Sequence, residues 1–209
     1  MSTVVTADII GSRELWDRAE AQRILDDAVA RVHAESSGVV RPLTPTVGDE
    51  LQGVYRDLPS ALRVILLLRL ALPDGLDIRF GVGLGEIESI RSATGGIAEG
   101  PGWWAARKAI DTLHAKQVRA MPGARTWIVA SGEDERDAAF ANAYSWARDE
   151  LVSAMSERTR RLVYGRCLGR TQRELAASEG ITQSAVSQAL TSAGAAAVVE
   201  GLRELSGGR

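Results

Sequence analysis

Cysteine is nearly absent: Cys167 is the only one in 209 residues. That excludes an internal disulfide framework and a cysteine-rich zinc site, and it suits a reduced compartment. Histidine is almost as scarce, and His33 and His114 stand far apart with no ligand spacing around either, so a histidine metal centre is not expected. Long apolar runs are missing too. The longest, residues 64–72, is broken by Arg69 and falls far short of the roughly 20 residues a membrane span needs. The opening Met-Ser-Thr-Val-Val has no basic flank and no long apolar stretch, so neither a signal peptide nor a membrane partner is expected and the chain reads as cytoplasmic. Lysine and aspartate are absent from residues 156–209, where eight Arg face five Glu, a balance of +3 against −5 for residues 1–155. An acidic front and a mildly basic tail imply two modules, the tail being the better suited to a polyanion.

What is present, with 45% hydrophobic and 25% charged residues, has the balance of a globular protein. Residues 3–10 read as a buried strand stopping at Gly11-Ser12. A helix is expected over 14–33, with Leu15, Trp16, Ala19, Ile24, Ala28 and Val32 available for its core face. Residues 44–54 have the look of a hairpin whose first arm ends at Val47 and turns at Gly48-Asp49. A strongly apolar helix follows over 59–72, stopped by Pro73-Asp74-Gly75. Then come a strand of alternating apolar and small residues over 76–84, a glycine-rich loop over 95–101, a helix over 102–115 and a last strand over 126–130. This order predicts an α+β sandwich, a sheet with helices on one face. Strand signals cease near Asp134, and the rest reads as helix. The expected division is a ligand-sensing domain over 1–150 and an all-α domain over 151–209.

The sharpest local pattern lies in residues 170–190. Thr171 caps a helix and Glu174, three residues on, completes a capping box. Leu175 and Ala176 face inward, Gly180 turns the chain, Ile181 enters the core, and Thr182 caps a second helix burying Val186 and Leu190. The segment resembles the helix-turn-helix of bacterial transcription regulators and of the last region of sigma factors. The resemblance implies DNA as partner, with Thr182, Gln183, Ser184, Ser187 and Gln188 on the early turns of the reading helix. Glutamine suits adenine, and Arg170 and Arg173, with Arg158, Arg160 and Arg161, are the expected phosphate contacts. The reading helix holds no Arg or Lys, which favours a homodimer that pools phosphate contacts. A stripe of Ala195, Val198, Val199, Leu202 and Leu205 offers a face for it.

A second constellation is spread over the front half: Asp8 ending the first strand, Gly48-Asp49-Glu50 on the hairpin, the strand Ile78-Arg79-Phe80-Gly81-Val82-Gly83, and Trp103-Trp104-Ala105-Ala106-Arg107 on a helix. Their order resembles the catalytic domain of class III nucleotidyl cyclases, whose fold is the palm of polymerases. The resemblance implies Asp8 and Asp49 as magnesium ligands, since paired carboxylates suit a hard cation on a triphosphate. Glu50 and Glu86 are possible additions. Gly11 and Ser12, leading into a helix, would offer N–H groups to phosphate, and Arg107 matches the family's helix arginine. Trp103 stands where the pattern has Asn, and the purine-selecting Lys is missing, its place falling near Pro45. Cyclase catalysis is therefore not expected. Trp16 and one of Trp103 and Trp104 are expected in the core, and Cys167 as a buried thiol.

Taken whole, the chain resembles the SatD-like family, with its Asp-Ile-x-x-Ser strand, Gly-Asp-Glu hairpin, Trp-x-x-Ala-Arg helix and terminal helix-turn-helix. The expectation is a DNA-binding regulator whose cyclase-like domain senses a nucleotide or phosphorylated ligand. An active metal-dependent cyclase and a ligand-free scaffold are the alternatives.

Overall fold

The computed structural model describes residues 2–12, 14, 17–46, 48–92, 95–192 and 194–207, and only the backbone of 89–92 and 95–98. The β-branched opening forms β1 (Ser2–Ile9). A turn leads to α1 (Arg18–Ala34), which starts later than the pattern suggested because Asp17, not Glu14, caps it. Leu15, Trp16 and Val47 lie outside the described residues. β2 (Val39–Pro45) and β3 (Glu50–Tyr55) are the hairpin arms. Asp57 then caps α2 (Leu58–Ala71), with Pro59 in its first turn. β4 (Ile78–Gly85) returns to the sheet, and β5 (Glu88–Ser92) pairs with β6 (Gly95–Glu99) in a separate small hairpin. Residues 95–99 are thus a strand, where a loop was expected; Gly100, at φ 111°, makes the turn into α3 (Pro101–Arg119). β7 (Thr126–Val129) completes the sheet, and α4 (Glu135–Ser153), α5 (Glu157–Cys167), α6 (Gln172–Glu179), α7 (Gln183–Thr191) and α8 (Ala195–Leu205) follow.

The sheet order is β2-β3-β1-β4-β7, antiparallel throughout except for the parallel β4–β7 pair. The sheet's first four strands and α1 and α2 follow the β-α-β-β-α-β order. Alternation along β4 divides the two faces. Phe80, Val82 and Leu84 join Val5, Ala7, Ile9, Leu51 and Tyr55 in a core shared with α1 and α2. Gly81, Gly83 and Gly85 point the other way, toward α3. A Cβ on Gly81 would come within 2.5 Å of the Ala106 carbonyl oxygen, and one on Gly83 would overlap that of Gly102. Helices therefore cover both faces, not one. Beneath α3 a smaller cluster of Val4, Val54, Trp103 and Ala106 fills the remaining space.

α2 is buried nearly all round: Leu66, Leu67 and Leu68 have no exposed surface. Its back is covered by α5 and α8, and one continuous core runs from the sheet through α2 to Leu175, Val186 and Leu202. That is why this helix is apolar on every side. Its one buried charge, Arg69, pairs at 2.8 Å with Asp149 of α4. The Asp149 carboxylate also takes Arg148, at 2.7 Å, and the Arg125 backbone N–H. At the sheet's outer edge the Asn142 carboxamide accepts from the Ile128 N–H and donates to its carbonyl, both at 2.8 Å.

Candidate functional site

The register of β1 against its neighbours places Asp8 opposite both Glu50 and Arg79, on the α3 side of the sheet. The Arg79 guanidinium grips Asp8 with both hands: Nε donates to Oδ1 at 2.8 Å and Nη2 to Oδ2 at 3.0 Å. Its Nη1 donates to Gln117 of α3 at 3.1 Å, and the Gln117 amide donates to the Ala124 carbonyl. One turn-face away, Arg107 of α3 pairs with Glu50 at 2.8 Å, and Gln52 donates to the same carboxylate. Asp49 follows Gly48, whose φ of 72° makes the hairpin turn. Partial burial pushes the Asp8 carboxyl above its usual range; the Arg79 contact opposes that rise, and the negative charge of Asp49 adds to it. Desolvation is the larger effect.

Asp8 and Asp49 are thus brought together, yet this donor set does not fit a magnesium ion. Both Asp8 oxygens are committed to Arg79. Among the described residues no group of three His, Cys, Asp or Glu is gathered as a cation site, whereas a hard cation wants about six oxygens. A guanidinium occupies the Asp8 carboxylate that was expected to hold the cation. Gly11 and Ser12 lie in a turn that does not feed a helix directly. The N-terminus of α1 is filled by the Asp17 carboxylate, which accepts from the Glu20 N–H at 2.9 Å. Trp103 is buried against Val4 and Val54 with the Arg41 guanidinium over its ring, while Trp104 is exposed and donates to Glu99 at 3.0 Å. Glu86 is exposed. His33 is tied to the Tyr55 hydroxyl at 3.0 Å, and His114 is exposed.

The second candidate surface is α6 and α7. Thr171 Oγ1 accepts from the Glu174 N–H at 3.2 Å while Glu174 accepts from the Thr171 N–H at 2.7 Å, the reciprocal capping box. Gly180 turns at φ 64°, and Thr182 caps α7 by accepting from the Ala185 N–H. Leu175, Ala176, Val186 and Leu190 are buried. Gln183, Ser184 and Gln188 are exposed and Ser187 half-buried; the Thr182 hydroxyl is spent on its cap and on Ser184. Arg158, Arg170 and Arg173 are exposed. Arg160 and Arg161 are otherwise engaged, Arg160 with Asp74 at 2.7 Å and Arg161 with Glu179 at 2.8 Å, so they are not free phosphate contacts. The α8 stripe is buried in the chain's own core, with Ala195, Val198, Val199 and Leu202 all below a tenth exposed. Leu205, the fifth residue of the stripe, keeps some exposed surface. Cys167 is partly buried.

The sequence pattern missed Arg79 as the partner of Asp8, Glu50 as the partner of Arg107, and the Arg69–Asp149–Arg148 group. A lone Arg in a strand of glycines and aliphatics was the available signal for the first.

The geometry defines an α+β sheet protein with an arginine–carboxylate cluster under α3 and a capped two-helix unit at its C-terminal end. The model of the SatD family matches residues 3–199, and the chain belongs to that family. No curated protein matches it. Among solved structures it is similar to a bacterial light-regulated adenylyl cyclase, at 13% identity and TM-score 0.41 over 61% of this chain and 74% of that one. The adenylyl cyclase CyaB from P. aeruginosa stands at 16% and 0.37, over 55% and 71%. An adenylate cyclase from Trypanosoma brucei stands at 17% and 0.36, over 65% and 78%.

Proposed function

We propose that the protein is a DNA-binding transcription regulator whose sheet unit senses a nucleotide or other phosphorylated ligand. The observation that carries the DNA reading is the doubly capped α6–α7 pair. It holds Gln183, Ser184 and Gln188 exposed on the first turns of α7 while Val186 and Leu190 anchor the helix. Arg170 and Arg173 flank it as phosphate contacts. Because α7 has no basic residue, two copies on a two-fold site bind better than one. Arg107, paired with Glu50 but still exposed on α3, is the group with which the sheet unit would meet a phosphate, and the core shared through α2 links that unit to the DNA-binding helices.

The test is selection of bound sequences from random duplexes, followed by affinity measurement. Gln183→Ala with Gln188→Ala relaxes sequence preference, each good bidentate base contact being worth about 1–3 kcal/mol. Arg170→Ala with Arg173→Ala weakens binding to every sequence and flattens its salt dependence. Failure to enrich any sequence, with the fold intact, defeats the reading. Light scattering of the free and DNA-bound protein tests the homodimer. The alternative, a metal-dependent nucleotidyl cyclase, rests on Asp49 lying near Asp8 and requires Arg79 to release Asp8. Incubation with ATP or GTP and Mn²⁺, followed by chromatography, is expected to give no cyclic product.

A further inference from the structure

Three arginines line a cavity of about 270 Å³ where α2, the end of α5 and α8 meet. Arg63, Arg166 and Arg203 line it together with Cys167, Leu202 and Ser206, and no carboxylate does. The ion pairs of the described residues include neither Arg63 nor Arg166, while Arg203 shares its charge with Glu200 on the open surface at 2.6 Å. The Arg166 side chain gives one N–H to the Arg170 carbonyl. The fields of all three cations reach the Cys167 thiol, but burial outweighs them and pushes it up to about 12. It stays a neutral thiol that neither balances the charge nor acts as a nucleophile.

Helix ends account for part of this cluster. Arg166 and Arg203 stand in the last turns of α5 and α8, and each helix end supplies about half a negative charge. Arg63 has no such compensation, since it lies in the second turn of α2, near that helix's positive end. Three cations against two half-charges and one shared carboxylate leave the cavity positive.

We infer that this cavity binds the phosphoryl group of a small phosphorylated molecule. Guanidinium forks match the oxygens of a phosphate two at a time. The cavity adjoins a depression of about 330 Å³ that shares Arg63 and Ser206, which leaves room for the body of the ligand. The site uses none of Asp8, Arg79 or Arg107, so it stands whether or not the cluster under α3 binds anything. Its walls join α2, which packs on the sheet, to the end of the helix that leads into α6.

Calorimetry on the whole chain at low ionic strength, with inorganic phosphate, AMP and glucose 6-phosphate as probes and adenosine and glucose as controls, tests this directly. At least one phosphorylated probe is expected to bind saturably and neither control to bind. Arg63→Gln or Arg166→Gln should weaken it by roughly ten- to a hundredfold, the range of a lost charged hydrogen bond, while Arg18→Gln, exposed on α1, leaves it unchanged. Phosphate binding as tightly as the organic probes assigns free phosphate as the ligand; tighter AMP or glucose 6-phosphate assigns an organic phosphate. The inference is overturned if no phosphorylated probe binds at millimolar concentration, or if a folded Arg63→Gln/Arg166→Gln protein binds as well as the parent.

Discussion

α2 and α3 lie on opposite faces of the same sheet and are held by opposite means. α2 meets the bulky side of β4, Phe80, Val82 and Leu84, with its own leucines, and is then covered from behind. α3 meets Gly81, Gly83 and Gly85, so its backbone approaches the strand directly and long side chains are excluded from the contact. The difference has a functional edge. Bulk on the α2 side makes a core that reaches every C-terminal helix, whereas the close approach of α3 carries Arg107 and Gln117 to the polar strand ends at Glu50 and Arg79. One face is joined to the C-terminal helices; the other presents charge.

The largest effect expected from breaking this arrangement is on the α2 side, at its single buried charge. Asp149→Ala would leave Arg69 and Arg148, both essentially buried, without a counter-charge. Urea unfolding should show a loss of about 3–5 kcal/mol. Leu67→Ala opens a cavity between sheet and C-terminal helices and should cost about 2–5 kcal/mol, with near-ultraviolet signals of both regions lost in one transition because they share a core. Gly83→Ala tests the α3 side. The added methyl must push the helix off the strand, at about 1–3 kcal/mol, and nuclear magnetic resonance should show Arg107 and Gln117 shifting while the α2 leucines stay in place. If Gly83→Ala disturbs the α2 core as strongly as Leu67→Ala, the two faces are not independent.

The smallest effect is a pH dependence confined to the α2 face. Burial holds the His33 imidazole below its ordinary value of 6.5, so the unfolded chain takes up a proton that the folded one resists. The stability His33 contributes is therefore present above 6.5 and is lost as the pH falls through its folded value. Replacing His33 by Gln should flatten the decline of the urea midpoint on acidification from neutrality.

Local determinants made some of this legible in advance. The caps at Thr171 and Thr182 and the turn at Gly180 depend on residues three positions apart, and the pattern gave α6 and α7 nearly to the residue. The apolar run of α2 was equally plain. What lay behind it was not, because nothing local distinguishes a leucine facing the sheet from one facing α5. The same limit applies to α8, whose stripe was evident while its burial against its own chain was not. At the candidate site, Asp8 and Asp49 were legible as types and positions. Arg79 lies 71 residues from Asp8, and only the β1–β4 register aligns them. The glycines of β4 were visible as small residues, but their use as the seat of a second helix layer requires knowing which face each one takes.

The carboxamide of Asn142 has a bearing on how copies of this chain can meet. By occupying the outward N–H and C=O of Ile128 it imitates a neighbouring strand and closes the β7 rim of the sheet. The opposite rim, β2, carries Pro42 and Pro45 and two breaks in register. Neither border offers an unbroken ladder of free amide groups. Two molecules are thereby steered away from fusing their sheets into one, and the main sheet is guarded against the runaway strand exchange that seeds insoluble fibres.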